Sequence, residues 1–379
     1  DPIYFKSELV DGEGETRILS GTLHYTASGT LTADVYYMDK SVAEGLSSDV
    51  NTLAPYFNVN IGGTAGVTVE CNNYTDVTSG TIGSYPVTLK SGDISVQTRL
   101  EVGLDIDADN FEDTVFRTYV KDNFDKGTDK ADFLTYNEII GAKQIIIRGS
   151  SNTNRSGCAS LKGIEYFTEL TYLYFIWGNV TEIDVSKNTE LTEFVCYENN
   201  ELAKVVLGNN LEKLERIDCR SNGKLENINV EGCPNLKYLM CYANGLTSLN
   251  VSQNSELIEL QCYDNKLTTE TLNITGPNLQ RLWCDNNQLT SLDVSKHTAL
   301  NDLKCSNNKN LTKLELPDNS SLKLLYCSDN ALTELDLKNN TGLTDLACDR
   351  NKLKTLDLTG MENLTNVSCE QNQLTNLNV

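Results

Sequence analysis

Toward the C-terminus, apolar and polar positions settle into one recurring phrase. It reads LKYLMCYAN at 236–244, LIELQCYDN at 257–265, LQRLWCDNN at 279–287, LNDLKCSNN at 300–308, LKLLYCSDN at 322–330, LTDLACDRN at 343–351 and LTNVSCEQN at 364–372. Side chains of a strand alternate between faces. Leu236, Leu239 and Cys241 therefore point inward, and Tyr238, Met240 and Tyr242 point outward. A second phrase follows each Asn, as in LTSLDVS at 289–295. Each unit is expected to hold one short strand and one irregular return path.

The cysteines give the period. Cys196, Cys219, Cys241, Cys262, Cys284, Cys305, Cys327, Cys348 and Cys369 lie 21 to 23 residues apart. This spacing and the LxxLxC pattern are the signature of a leucine-rich repeat. A single unit cannot bury its inward side and must stack on neighbours. The fold expected for 166–379 is an α/β-type leucine-rich-repeat solenoid, with a parallel sheet and a mostly irregular convex side. Asn199, Asn222, Asn244, Asn265, Asn287, Asn308, Asn330, Asn351 and Asn372 form an inward column able to bond turn backbone that is otherwise buried and unpaired. In the first repeat, Leu170 to Asn179, Phe175 stands in the Cys place and Gly178 in the Asn place.

Residues 1–104 lack this period. Short runs rich in Thr, Val and Tyr, such as LTADVYYM (31–38), YFNVNI (56–61), GVTVECN (66–72) and DISVQTRLEVGL (93–104), alternate with turn residues at Ser28-Gly29, Gly62-Gly63 and Ser91-Gly92. They read as an all-β, antiparallel, immunoglobulin-like sandwich without the Cys…Trp…Cys hallmark, acting as a spacer or second binding module. Residues 105–165 read as a helical N-cap and the first strand of the solenoid. Phe111, Val115, Phe116, Tyr119 and Val120 share a helical face, with Asp109 or Asn110 as N-cap. A second helix is expected at Thr135 to Gly141, and QIIIR (144–148) as the first parallel strand.

Composition narrows the function classes. The chain has 379 residues, 31 Lys and Arg against 53 Asp and Glu, and a net charge of −22. That balance argues against nucleic-acid and anionic-membrane partners, which call for a basic patch. No run of 18 apolar residues is present, so membrane insertion is not expected. No signal peptide is visible, and a start at Asp1 reads as a processed or trimmed form. Twelve cysteines would normally suggest disulfides. Here nine occupy an inward position, where Cys acts as a small hydrophobe, and in-register neighbours hold their Cβ atoms too far apart to bridge. Cys71, Cys158 and Cys233 stand off this ladder without an assigned role. No CxxC or other metal spacing occurs, and no cofactor is expected.

Catalytic signatures are missing. Of two histidines, His24 lies in a strand-like run and His297 reads as a solvated loop residue. No GxSxG, HExxH, P-loop or GxGxxG pattern appears. A non-enzymatic protein is expected, although a glycosidase carboxylate pair carries no spacing rule.

NFEDTVFRTYV, FDKGTDKADFLTYNEI, SLKGIEYFTELTYLYF and the repeated LxxLxCxxNxLTxLDVSxNT together resemble bacterial secreted leucine-rich-repeat proteins of the internalin-like kind, over about 110–379. The resemblance implies export and display at the cell surface, by a lipid anchor outside this chain. It also implies recognition of a protein or glycan of a host or neighbouring cell, and no catalysis. Related caps often carry a calcium loop near Asp125 to Glu138. Here Gly127, Asp129 and Ala131 fall at its positions 1, 3 and 5, which removes two of three early ligands. Phe116 stands where a loop opened by Asp105, Asp107 and Asp109 needs its closing Glu, so no metal is expected.

The outward positions of the strands are the candidate site. Unlike the inward columns they vary, and they concentrate aromatics with interleaved Arg, the residue types that anchor interfaces. The expected ligand-binding residues on the concave face are Tyr172, Tyr174, Tyr197, Arg216, Tyr238, Tyr242, Tyr263, Arg281, Trp283 and Tyr326. The same residue types also favour strands for packing alone. The chain is expected to be a monomer. The competing reading is a structural protein that self-associates through the open strand edge at LTNLNV (374–379).

Overall fold

The computed structural model describes residues 2–10, 16–25, 31–33, 35–57, 68–91, 93–127 and 130–379, with side chains from residue 35 onward except at 91 and 94. These residues form two compact units, one of residues 1–110 with 117–141 and one of 111–116 with 142–379.

The second unit is a parallel solenoid. Eleven strands pair in order from Gln144–Arg148 and Tyr172–Ile176 through to Asn366–Ser368. The register is continuous: Leu239 stands opposite Ile217 and Leu260, and Leu303 opposite Leu282 and Leu325. Identical apolar positions therefore stack, and Leu236, Leu239, Leu260, Leu282, Leu303 and Leu325 are fully buried. Short two-stranded pairs, such as Glu182–Asp184 with Lys204–Val206 and Ser291–Asp293 with Lys313–Glu315, line the return side.

The asparagine column closes the turns. Asn308 Nδ2 donates to the Cys305 carbonyl of its own repeat at 3.0 Å and to the Cys284 carbonyl of the preceding one at 3.2 Å, while its Oδ1 accepts from Leu289 N–H at 3.1 Å. Asn222 Nδ2 likewise donates to Cys219 O and Cys196 O, while its Oδ1 accepts from the N–H of the preceding column residue, Asn199. At the first turn, Gly178 N–H donates to Asn199 Oδ1 at 2.7 Å. Gly178 is required there: a Cβ would come within 2.1 Å of the Phe175 ring. The residue before Gly178, Trp177 (φ 53°), and the residue before each Asn, from Glu198 (56°) to Arg350 (51°) and Gln371 (54°), are left-handed.

All twelve cysteines are free. Eight of the ladder cysteines are fully buried and Cys369 is half-buried. Cys233 joins a second inward column on the return side, occupied elsewhere by Asn188, Asn254 and Asn340. His297 belongs to this column as well. It is 4% exposed and its Nδ1 lies 2.9 Å from the Gly276 carbonyl, so it is a buried structural group and not the solvated loop residue expected. The Asn it replaces bonds the same way, as Asn254 does to Val230 O and Cys233 O. Cys158 is buried, with its thiol donating to Ser160 O at 3.3 Å.

The first unit corrects the expected sandwich. Among the described residues its strands form one mixed sheet in the order Pro2–Val10, Thr16–Tyr25, Leu31–Ala33, Ile94–Asp105, Gly83–Ser91, Thr68–Cys71, and Tyr36–Asp39 pairs parallel with Ile94–Asp105. The helices Lys40–Glu44 and Tyr74–Thr78 and the 3₁₀ segment Val50–Phe57 supply the second layer, so Leu53, Phe57 and Val77 share a core with Val87, Leu89, Val96 and Leu100. Asp39 starts the first of these helices, accepting from Ser41 N–H at 2.8 Å. Strand-like runs were legible, but Asp39 and Asn73 open helices between them. The expected strand YFNVNI lies in the 3₁₀ segment at 56–57, its remainder and the turns at Ser28-Gly29 and Gly62-Gly63 fall outside the described residues, and so does Asp129.

Two helices occur near those expected at 105–141. The first, Thr114–Phe124, is capped by Asp113, whose Oδ1 accepts from Val115 and Phe116 N–H at 2.8 and 2.9 Å. Asp109 and Asn110 are not the cap; they lie in a preceding turn in which Asp107 Oδ1 accepts from their N–H groups. The second, Tyr136–Gly141, has a reciprocal cap in which Thr135 N–H donates to Glu138 Oε2 and Glu138 N–H to Thr135 Oγ1.

Two outcomes follow. Asn308→Ala leaves the Leu289 N–H without its acceptor and takes one of two amide donors from each of the Cys284 and Cys305 carbonyls, which keep Asn287 and Asn330, and is expected to cost about 2 kcal/mol. Hydrogen exchange should rise mainly in the repeats flanking Cys284 and Cys305, whereas exchange rising evenly along the chain would contradict a local role. The second outcome concerns pH. Burial pushes the Cys262 and Cys348 thiols up to about 12, and Cys241, Cys284 and Cys327 well above the ordinary thiol value. Their folded-state pKa lies above the unfolded one, so this stabilisation is intact below about pH 8.5 and is lost as pH rises from there toward 12. Thermal melts should fall between pH 8 and pH 10, and native thiol labelling at pH 8 should reach Cys71 and Cys369 before the rest.

Candidate functional site

The strands of the long sheet are only three to five residues, yet their register fixes three outward columns. One runs Tyr172, Glu193, Arg216, Tyr238, Glu259, Arg281, Asp302, Leu324, each opposite the next. The next runs Tyr174, Val195, Asp218, Met240, Gln261, Trp283, Lys304, Tyr326. The third follows the strands, at Tyr197, Arg220, Tyr242, Tyr263 and Asp285. All ten residues expected from the sequence stand on this face: Arg281 is exposed, and Tyr172, Tyr174, Tyr197, Arg216, Tyr238, Tyr242, Tyr263, Trp283 and Tyr326 are half-buried.

Their rings are joined. Tyr172 and Tyr174 stack at 6.1 Å, and Tyr174 meets Tyr197 edge to face at 6.1 Å with the hydroxyls 3.0 Å apart. The Arg220 guanidinium sits 4.0 Å over Tyr197 and 5.8 Å from Tyr242. Tyr242 stacks on Tyr263 at 4.2 Å, and Tyr263 leans on Trp283 at 6.5 Å. Lys304 Nζ then lies 3.6 Å over Trp283 and 5.8 Å from Tyr326. Arg216 lies 5.9 Å over Tyr238. The result is a continuous ribbon of rings and cations across eight successive repeats. Sequence reasoning placed Arg220 and Lys304 in the outward columns without marking them as site residues. Their regular spacing from the aromatics was the signal that would have found them.

Packing along the ribbon shapes its electrostatics. Burial and the Tyr174 hydroxyl push Tyr197 up to about 12, and burial also raises Tyr263 and Tyr172, so the phenols remain neutral donors. Arg220 pairs with the buried Asp218, and Arg281 Nε with Glu259 at 2.8 Å. Burial holds Asp218 and Asp285 above the ordinary carboxylate value. Three apolar positions of outward parity are instead covered, with Ile176 2%, Met240 4% and Val195 5% exposed, and Asp218 and Asp302 in the same columns are buried as well. Among the described residues, no group of three or more potential ligands is placed to hold a metal, and no helix is long and apolar enough to cross a membrane.

This architecture is that of a leucine-rich-repeat solenoid. No protein-family model matches the chain, and no curated protein matches it either. Among solved structures, the functional domain of InlJ from Listeria monocytogenes, described as including a cysteine ladder, is similar at 32% identity and a TM-score of 0.57. The match covers 72% of this chain and 60% of that one, so this chain spans less than two thirds of the InlJ domain. The leucine-rich repeat domain of APL1 shares the fold at 19% identity and a TM-score of 0.51, over 67% of this chain and 68% of that one.

The ribbon carries some stability of its own. Tyr242→Ala removes the 4.2 Å stack on Tyr263 and is expected to cost about 1 kcal/mol in denaturant unfolding, with Tyr242→Phe near neutral. Equal losses for both variants would mean that the hydroxyl, and not the ring contact, matters.

Proposed function

We propose that the protein is a non-enzymatic, extracellular or cell-surface recognition protein that binds a macromolecular partner on the outer face of its long sheet. The observation that carries this reading is the ribbon from Tyr172 to Tyr326. A solenoid needs its inward columns for folding, but its outward columns are free to vary, and here they bring aromatics and cations into one connected strip. Such residues dominate the energetics of interfaces. The similarity to the InlJ domain supports a binding role, and the sequence resemblance to exported internalin-like proteins supports the surface location. In this reading residues 1–104 act as a spacer. Residues 105–165 close the first layer of the solenoid, which the packing of Phe111 on Tyr166 and Phe167, both at 6.1 Å, supports.

The test is a screen of the intact chain against a glycan array and a panel of extracellular-matrix proteins, with a Tyr242→Ala, Trp283→Ala double variant beside it. The expected outcome is a partner whose affinity falls about 100-fold or more in the variant, while its circular dichroism stays that of the parent. A partner bound equally by both proteins would move recognition off the sheet face. Concentration-dependent mass in light scattering, with no partner found, would favour self-association.

A further inference from the structure

The C-terminal half of the sheet face differs from the rest. From the strand Asp302–Lys304 onward, its outward columns carry the carboxylates Asp302, Asp345, Asp349 and Glu370 against one ammonium, Lys304. Two of these carboxylates are satisfied within the chain. Asp345 accepts from Thr344 and Asn366, and Asp349 from Ser328, Ser368 and Glu370 N–H.

Asp302 is the exception. It is only 7% exposed, its Oδ1 is fully buried, and no hydrogen bond or ion pair reaches that oxygen. Both cations beside it are committed elsewhere. Arg281, its register partner, turns to Glu259 on its other side, and Lys304 lies over the Trp283 ring. One strand away, the Trp283 indole N–H is also buried and without an acceptor. A buried carboxylate without a partner is costly, and so is a buried donor. The two lie on adjacent strands of the same face. They call for a ligand that brings a cationic donor to one and an acceptor to the other.

We infer that this half of the face seats a basic protein segment, with one Arg or Lys head group of the partner anchored on Asp302. The inference rests on the sheet-face reading above and narrows the partner to a cationic polypeptide. The ring packing favours a protein over a glycan. Flat ring faces of the kind a sugar stacks on are already covered: Tyr242 by Tyr263, Trp283 by Lys304 and Tyr197 by Arg220. Edges and polar tips are left for contact, and the acidic columns beyond Asp302 steer a positive segment toward it.

The experiment is to pan a displayed random-peptide library on the intact chain, and to measure the most enriched peptides by calorimetry against the parent and Asp302→Asn. Enrichment of peptides containing Arg or Lys is expected. Their affinity should fall at least about 30-fold on Asp302→Asn, and should weaken as NaCl rises from 50 to 300 mM. Asp302→Asn should melt no lower than the parent, because the isosteric amide removes an uncompensated charge. A lower melting point would make Asp302 a structural group and overturn the inference. Enriched peptides without basic residues, affinities indifferent to Asp302→Asn, or no enrichment over background would also overturn it. A panel partner lost by the Tyr242→Ala, Trp283→Ala variant but kept by Asp302→Asn would leave the sheet-face reading standing and remove this one. A panel partner kept by both variants would remove both.

Discussion

A single side-chain amide, placed three residues after the cysteine in each turn, makes this fold possible. A solenoid must turn its backbone sharply at every strand exit, and those turns lie inside, out of reach of water. Asn answers with two donors and an acceptor on a short stem. Asn222 and Asn308 each bond their own turn and the turn before it, so each repeat is completed by its neighbour. The Leu and Cys columns fill the space that this network defines. Cys suits its position because it is small, and burial keeps its thiol protonated and inert.

The reach of sequence reasoning follows from this division of labour. Inward positions were legible because translation along the solenoid places identical residues in identical environments, so a period in the chain is a column in space. All ten expected site residues stand on the outer face for the same reason. What escaped was whatever depends on one neighbour rather than on the repeat. Met240 and Ile176 have the parity of outward residues, yet both are buried. His297 substitutes for Asn by presenting a ring nitrogen to the same kind of carbonyl, a chemical equivalence that residue type alone conceals. The left-handed residue in each turn varies from Trp177 to Arg350 with no common signature, because the Asn network around it imposes the conformation.

The first unit was harder to read because nothing repeats there. Alternation marked several strands correctly, but alternation does not say whether strands belong to one sheet or two. The deciding residues are Asp39, which opens a helix directly after a strand, and the 3₁₀ segment carrying Leu53 and Phe57 into the core. Likewise Asp113, not Asp109, caps the helix that follows: Asp107 takes the Asp109 and Asn110 N–H groups in a preceding turn, and Asp113 takes those of Val115 and Phe116. Which of several neighbouring Asx residues opens the helix is settled by geometry, which spacing does not encode.

The two-sided bonding of the asparagines reaches beyond stability. Each amide joins a repeat only to its immediate predecessor; its two Nδ2 bonds recur at every interior junction, while its Oδ1 accepts either from the preceding Asn N–H, as at Asn222 and Asn330, or from the Leu two residues after that Asn, as at Asn287 and Asn308. Duplicating or removing a whole interior unit flanked by junctions of one kind therefore recreates the junction it disturbs, without orphaning a buried group. Units can be shuffled as intact cassettes, each carrying its own outward residues. Such a scaffold can change its ring-and-cation ribbon by recombination as readily as by point substitution, and so acquire a new recognition surface while its interior stays the same.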